Sequence, residues 1–541
     1  MPDDSPKTRA PNVLISQFIV AALLVGGTAY WLFRARWPLG RVGEWVIRPN
    51  EGAWPVQALG IPFAVLMLFG APAALAAYDR FRRAKSRSEQ TASTTLCIAA
   101  LTCFSFLWPW ALIGPGGVSN LIAATWSDLS NGYFSTAYTV EDARSFTHDY
   151  PLRHQEHVSV SQAHVATHPP GAVLFYFGAR RIFEASPPLQ NGFTGLAENL
   201  VRSPVASIAE GAQATRRAAW VSANRPGGQY VALPVSAVGC ALWCAFLILF
   251  ASASIVPAVY LLASQGGAGQ EHHEARGMIA AALFAAAPSL GLFAFTLDGL
   301  IAAGAAWTFV LASRRLAGGS HGWMMAAGGT LALTSFVSFG ALSVGLLVVL
   351  ALALHHGLTR GAVTDAALFA FAFLVGWIVL SLIFLMQPLI IFYKAMEAHH
   401  LATLSARDYW GWTWLNLFIF ALFSGWPVAL SVLTYLAAGW RFGSKHQVPV
   451  PAVALGIATL LSVLLLTFSG NVRGEVDRLW LFLLPPLCAL AATWFQPSAS
   501  SEGQASVTRT HNVALWIGLI LLQAAQTLMM ASTLAPLVLP L

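Results

Sequence analysis

Long apolar stretches separated by short charged or polar segments run the length of the chain. A bilayer span needs about 20 mostly apolar residues. Thirteen candidates follow one another, at roughly 13–33, 57–78, 95–113, 230–264, 278–295, 298–313, 323–338, 340–355, 365–386, 413–438, 449–468, 479–495 and 512–531. Gly and Pro interrupt several of them, which bundled spans tolerate because neighbouring helices re-satisfy the freed backbone groups. The pattern therefore predicts an all-α polytopic membrane protein of about 13 transmembrane helices. The first apolar run, about 21 residues, leads into WLFRARW with no small-residue cleavage site, so it reads as a retained anchor.

Lys and Arg near span ends set orientation. The segment Asp79 to Arg87 is rich in basic residues, Arg314 and Arg315 follow another span, and Arg441 and Lys445 a third. With these in the cytoplasm, the N-terminus is cytoplasmic and the loops 34–56, 114–229, 387–412 and 469–478 face the opposite side. Arg34, Arg36, Arg41 and Arg48 then lie outside, against the rule. The apolar run from Gly171 to Phe183 is cut by Arg180 and Arg181 to about 13 residues, below a span, and is read as an interfacial helix. Three regions result: a two-span extension with a basic cytoplasmic loop (1–94), a central membrane module (95–495) whose extracytoplasmic loop is 114–229, and a polar connection with the last transmembrane helix (496–541).

Composition agrees. Of 541 residues, 57% are apolar and 10% charged, with mean hydropathy +0.63, whereas soluble domains carry about 25% charged residues. The net charge of +7 is absorbed by the orientation rule, which leaves no case for nucleic acid as a partner. Cys97, Cys103, Cys240, Cys244 and Cys488 all fall in apolar segments, where they act as small hydrophobes.

The longest polar stretch, about 114 to 229, is too long for a passive connector. Asp128 precedes an amphipathic pattern of Tyr133, Phe134, Ala137 and Tyr138 and reads either as a helix cap or as a site carboxylate. His168, Pro169, Pro170 and Gly171 form a rigid turn that places an imidazole at the membrane surface. His148, His154, His157, His164 and His168 have irregular spacing and no HExxH-type pair, so solvated loop histidines outweigh a structured metal site. Asp298, at the outer end of the hairpin FTLDGLIAAG, is an ionisable group at a span end and so a functional candidate. Two further outer segments carry Lys394, Glu397, His399, His400, Arg407 and Tyr409, and Arg473, Glu475, Asp477 and Arg478. An Arg directly before a span is suited to holding a lipid phosphate, or to anchoring the helix at the interface. Under one topology all these residues face one side.

In this order the residues resemble the GT-C superfamily of polytopic glycosyltransferases, in particular the branch of protein mannosyltransferases and aminoarabinose transferases. The resembling pieces are an acid before an amphipathic helix (Ser127, Asp128, then Tyr133, Phe134 and Ala137), the turn THPPGAVLFYFGARRIF, the hairpin APSLGLFAFTLDGL, and Arg478, Leu479 and Trp480 entering a Pro-containing span. The likeness covers roughly 95 to 495. Two spans precede the acidic loop where the family usually has one, the adjacent Asp-Glu pair is missing, and no large soluble domain follows the last span; Glu44, in the additional outer loop, is either a site residue or structural.

The resemblance implies an integral membrane glycosyltransferase of a bacterial plasma membrane. It would move a sugar from a polyprenyl-phosphate donor to a glycan, lipid or protein acceptor on the extracytoplasmic face. Asp128, His168 and Asp298 would be the catalytic group, with Asp128 the base. Lys394, His399, His400, Arg473 and Arg478 would bind substrate, and a divalent metal stays open. The competing classes are a lipid or small-solute transporter and a non-catalytic assembly partner. Transporters usually carry charge near the midplane, whereas here it gathers at one face.

Overall fold

The computed structural model describes residues 9–41, 44–47, 49, 68–82, 87–128, 132–152, 163–222, 232–265, 270–405, 407–442, 450–493 and 502–534. Arg48, Arg83, Lys85, His154, His157, Lys445, residues 57–67 of the second expected span and residues 494–501 of the late polar connection lie outside them.

The described residues are helical apart from one small ribbon. Helix α1 (Arg9–Tyr30) continues through a π-helical turn, Trp31–Ala35, into strands β1 (Leu39–Arg41) and β2 (Trp45–Ile47), which pair antiparallel with Leu39 opposite Ile47. Helices α2 (Gly70–Arg82) and α3 (Arg87–Trp126) lead to the long polar stretch. That stretch folds as α4 (Tyr133–Thr139), α5 (Ala143–Asp149), α6 (Ala163–Thr167), α7 (Gly171–Glu184), α8 (Pro187–Val201) and α9 (Val205–Ser222). The middle of the chain gives α10 (Ala237–Ala253), α11 (Ile255–Ala263), α12 (Gln270–Ala285), α13 (Pro288–Phe293), α14 (Leu297–Leu316), α15 (Gly322–Val337), α16 (Leu342–His356) and α17 (Arg360–Phe384). It ends with α18 (Pro388–His399), α19 (Tyr409–Ser424), α20 (Trp426–Phe442), α21 (Pro451–Ser469), α22 (Val476–Leu479), α23 (Leu484–Ala492) and α24 (Glu502–Leu534).

Seven of the described helices are long and apolar enough to cross a membrane, or eight when the bent pair α19–α20 is one span. The protein is thus a multi-pass, all-α membrane protein. Others of the thirteen expected stretches are short or broken. The stretch 278–295 divides between α12 and α13 at Pro288, which has no N–H to continue the ladder, and 479–495 is a short 3-10 turn followed by α23, which opens on Pro485 and Pro486. At Gly425, whose φ of +92° favours glycine, α19 and α20 turn by 113°.

The last helix repairs two of these interruptions. Gln526 donates to Leu422 O (2.8 Å) and accepts from Trp426 N (3.0 Å), while Gln523 donates to Ser424 O (2.8 Å). Thr527 donates to Ala286 O at 2.7 Å, just before Pro288. One face of α24 therefore supplies Ser424 O, Trp426 N and Ala286 O with hydrogen bonds that the broken helices do not make for themselves, and adds a second to Leu422 O, which Gly425 N already reaches at 3.2 Å.

The 20 residues of α14 rise through roughly 30 Å, a hydrocarbon thickness. Asp298 stands in its first turn and Arg315 in its last. Arg315 Nε lies 2.9 Å from both oxygens of Asp365, a residue with no exposed surface at the start of α17, and His321 Nδ1 lies 2.7 Å from the same carboxylate. At the far end of α17, Arg144 and Thr147 of α5 donate to Ile383 O and Phe384 O. Helices α14 and α17 thus run antiparallel, and the polar stretch 114–229 packs at the Asp298 end.

Candidate functional site

Polar side chains from four segments meet at the Asp298 end of the bundle. Thr296, extended, is the N-cap residue of α14, and Asp298 sits inside the first turn, where the helix N-terminus favours negative charge. Its Oδ2 accepts from Thr296 Oγ1 at 3.0 Å and from Arg478 at 3.4 Å, and its Oδ1 accepts no hydrogen bond among the described residues. Arg478 also donates to Glu475 at 2.6 Å, and Arg407 holds the other Glu475 oxygen at 2.8 Å. Two carboxylates and two guanidiniums therefore alternate in one network.

The segment Gly470–Arg478 is shaped to make this network. Asn416, fully buried, donates to Val472 O (2.8 Å) and accepts from Gly474 N (3.0 Å). Arg407 donates to Arg473 O. Glu475 then adopts φ +61°, a left-handed conformation that costs a non-glycine residue about 1–3 kcal/mol and is typical of functional positions. Burial alone would raise the Glu475 carboxyl, but Arg478, His164 and Arg407 outweigh it and hold the group well below the usual range. Arg478 stays charged: burial works against its charge, and Asp298 and Glu475 more than offset that. Asp477 differs, because burial lifts its carboxyl to about 7 against the pull of Arg478, and its Oδ1 has no partner among the described residues.

His168 enters from the His-Pro-Pro-Gly turn. The turn presses so closely on α15 that a Cβ at Gly171 would come within 2.0 Å of Phe336 O, which only glycine allows. His168 Nδ1 lies 2.9 Å from His164 O, so this nitrogen carries the proton and Nε2 keeps its lone pair. Burial, with His164 second, lowers the imidazole to about 4, so it is neutral at physiological pH. The Tyr133 ring meets it edge-on at 5.5 Å, and Tyr133 Oη donates to His164 O at 3.2 Å. The charges of Asp298 and Arg478 reach both rings.

Asp128 lies at the other end of the short segment that carries Tyr133. Its carboxylate accepts from Arg216 Nε (3.2 Å) and Nη2 (3.3 Å) of α9, and from Ser135 Oγ of α4. Asp128 is 3% and Arg216 5% exposed. The structure thus pairs Asp298 with Arg478 and sets His168 within reach of their charges, while Asp128 is linked to this group only through α4, which carries Ser135 against Asp128 and Tyr133 against His168.

The other expected residues are placed differently. Arg473 donates to Gly470 O in its own turn and to Leu404 O and Arg407 O, so two of its five N–H groups staple the two outer segments together. His399 Nε2 lies 2.7 Å from Asn471 O and does the same. Lys394 pairs with Glu397 on the surface of α18 at 2.9 Å, and His400 is exposed. Glu44 is structural: it accepts from Arg41 Nε (2.8 Å), Asp408 N (2.9 Å) and Trp412 Nε1 (2.6 Å), fastening the β1–β2 ribbon to the start of α19. Glu475, Arg407, Tyr133 and Arg216 were not singled out from the sequence as site residues; of the left-handed step at Gly474 and Glu475, only the glycine is visible in the sequence. Among the described residues no group of three or more His, Cys, Asp or Glu is placed to hold a metal ion.

Comparison with protein-family models, with characterised proteins and with solved structures finds no match to this chain.

Proposed function

We propose that the protein is an integral membrane glycosyltransferase that moves a sugar from a polyprenyl-phosphate donor to an acceptor hydroxyl on the extracytoplasmic face of a bacterial plasma membrane. The observation that carries this reading is Arg478, a permanently charged guanidinium held between Asp298 and Glu475 at one end of the bundle, beside a neutral imidazole. The shorter and broken apolar helices complete the thirteen-span bundle that the hydropathy pattern calls for. The Arg314, Arg315 and Arg360 end faces the cytoplasm by the charge rule.

Each group has a role in this chemistry. The acceptor oxygen attacks the anomeric carbon as its proton passes to Asp128. The bond from that carbon to the phosphate oxygen breaks, and its electron pair leaves with polyprenyl phosphate, inverting the sugar. Arg478 stabilises the departing phosphate. It has five N–H donors, and the 3.4 Å contact to Asp298 is the looser of its two ion pairs, the one a phosphate would displace. His168 Nε2 accepts from a sugar hydroxyl. Asp128 has three of about four lone-pair positions filled, which leaves one for the acceptor hydroxyl. Asp298, with Oδ1 open, is the rival base. In a transporter, the same ring of charge would line a path through the midplane; here Asp298 and the Arg315–Asp365 pair sit at opposite ends of α14 and α17.

The test is transfer from a polyprenyl-phosphate sugar by purified protein, alongside a donor-binding titration. Asp128→Asn should lower transfer by about 10²–10⁴-fold with donor binding retained. Arg478→Ala should weaken donor binding by about 1.5–3 kcal/mol. Retained transfer in Asp128→Asn with loss in Asp298→Asn moves the base to Asp298. Solute flux without donor turnover in the wild type overturns the reading.

A further inference from the structure

A cavity of about 270 Å³ opens where the end of α3, the turn after α8 and the middle of α9 meet. Its polar lining is Ser119, Asn120, Ser203, Ser207 and Thr215, and no charged side chain lines it. It lies close to Asp128 along the chain in two directions: α3 runs from Ser119 to Trp126 just before Asp128, and Thr215 precedes its partner Arg216.

The level of the cavity restricts its ligand. Counted from Thr95, where the apolar run of α3 begins, Ser119 stands about 36 Å along the helix, past a hydrocarbon thickness of about 30 Å. A lipid tail therefore does not reach it. A phosphate or carboxylate would find no lining cation. Hydroxyl and amide groups that both donate and accept suit an uncharged, hydroxyl-rich molecule. The volume lies just under the usual range of about 300–1,000 Å³ for drug-sized ligand pockets and admits one sugar ring.

Gly211 is the position from which an added side chain would narrow the cavity. It lines the cavity from the interior of α9, where glycine is less stable than alanine. A Cβ built there meets no atom within 4 Å. Nor is Gly211 among the glycines with positive φ. Gly211 is itself exposed, so a longer side chain at this position would extend over the mouth of the cavity.

We infer that this cavity is a subsite for an uncharged sugar unit of the acceptor, with Gly211 at its rim and Asn120, Ser207 and Thr215 as its hydrogen-bonding groups. The acceptor class is then a glycan, which rests on the transferase reading above, since that reading supplies the need for an acceptor beside Asp128.

The experiment measures binding of neutral methyl hexosides, methyl pentosides and their disaccharides to the full chain in nanodiscs by saturation-transfer NMR. It compares wild type, Gly211→Ala and Gly211→Leu. Gly211→Ala should raise the melting temperature and weaken binding, and Gly211→Leu should weaken it by about tenfold or more, with folding intact because the added carbons enter empty space. Saccharide should also protect Gly211→Cys from maleimide. Wild-type protein that binds none of these sugars, binding that Gly211→Leu leaves unchanged, or a cavity that prefers inorganic phosphate or a Ser/Thr peptide overturns the inference. If sugars bind in a Gly211-dependent way while no polyprenyl-phosphate donor is turned over, the subsite stands and the transferase reading falls.

Discussion

Arg216 closes on Asp128 across 88 residues of chain, and neither side chain is more than 5% exposed. A carboxylate so enclosed depends on its countercharge. Removing one partner of a buried pair costs about 3–5 kcal/mol, because the other charge is left without compensation. Arg216→Ala should therefore melt well below the wild type in detergent, and so should Asp128→Asn, which leaves the permanently charged Arg216 buried beside a neutral amide. Equal melting temperatures for Arg216→Ala and wild type would contradict an enclosed pair.

A similar pair marks the opposite end of the bundle. Arg315→Ala leaves Asp365 buried beside a single histidine and should also cost about 3–5 kcal/mol. His321→Ala should cost about 0–1 kcal/mol, since the His321 side chain is 53% exposed. Thermal unfolding of the two variants side by side measures the ratio.

The antiparallel course of α14 and α17 fixes sidedness. Glu141 is exposed just before α5, at the end where α17 finishes, and Leu358 is 91% exposed where α17 begins. In a Cys103→Ser background, Glu141→Cys should react with an impermeant maleimide from outside intact cells. Leu358→Cys should react only after the membrane is opened. Labelling of both from one side would break the assignment.

Asp477 and His168 give opposite pH dependences. The Asp477 carboxyl is raised from 3.8 to about 7, so the folded state holds a proton that the unfolded chain has lost. This stabilisation is complete below about pH 4 and declines as pH climbs through 7. His168 is lowered from 6.5 to about 4, and its contribution declines as pH falls across that interval. The melting temperature of wild type minus that of Asp477→Asn should thus decrease from pH 5 to about pH 7 and level off by pH 8. A flat difference would mean that Asp477 is ionised throughout.

The sequence showed most where physics is local. Apolar runs marked the membrane segments, and the Pro-Pro-Gly after His168 marked a turn that the structure presses onto Phe336. Asp298 and Arg478 were chosen from separate segments because one topology faced them to the same side, and the structure puts them 3.4 Å apart. Arg473 misled, since an arginine ahead of a span reads as an anion site whether it meets a ligand or, as here, backbone carbonyls. Arg216 could not be found in this way. Its partner lies 88 positions away, and nothing around it separates a buried arginine from the exposed Arg217 beside it.

The glutamines of α24 impose an order in time. Ser424 and Trp426 present backbone groups at a bend, and their partners Gln523 and Gln526 are synthesised about 100 residues later. Ala286 O waits longer, 241 positions, for Thr527. While the chain is being inserted, these groups have no hydrogen bond of this kind, and lipid offers none. The central helices must therefore stay loosely associated, or borrow temporary partners from water or from insertion machinery, until the final helix arrives. A ribosome arrested before residue 523 would hold a bundle that is still open along this seam, so a late truncation should expose the middle of the protein to proteolysis more than the loss of one peripheral helix would suggest.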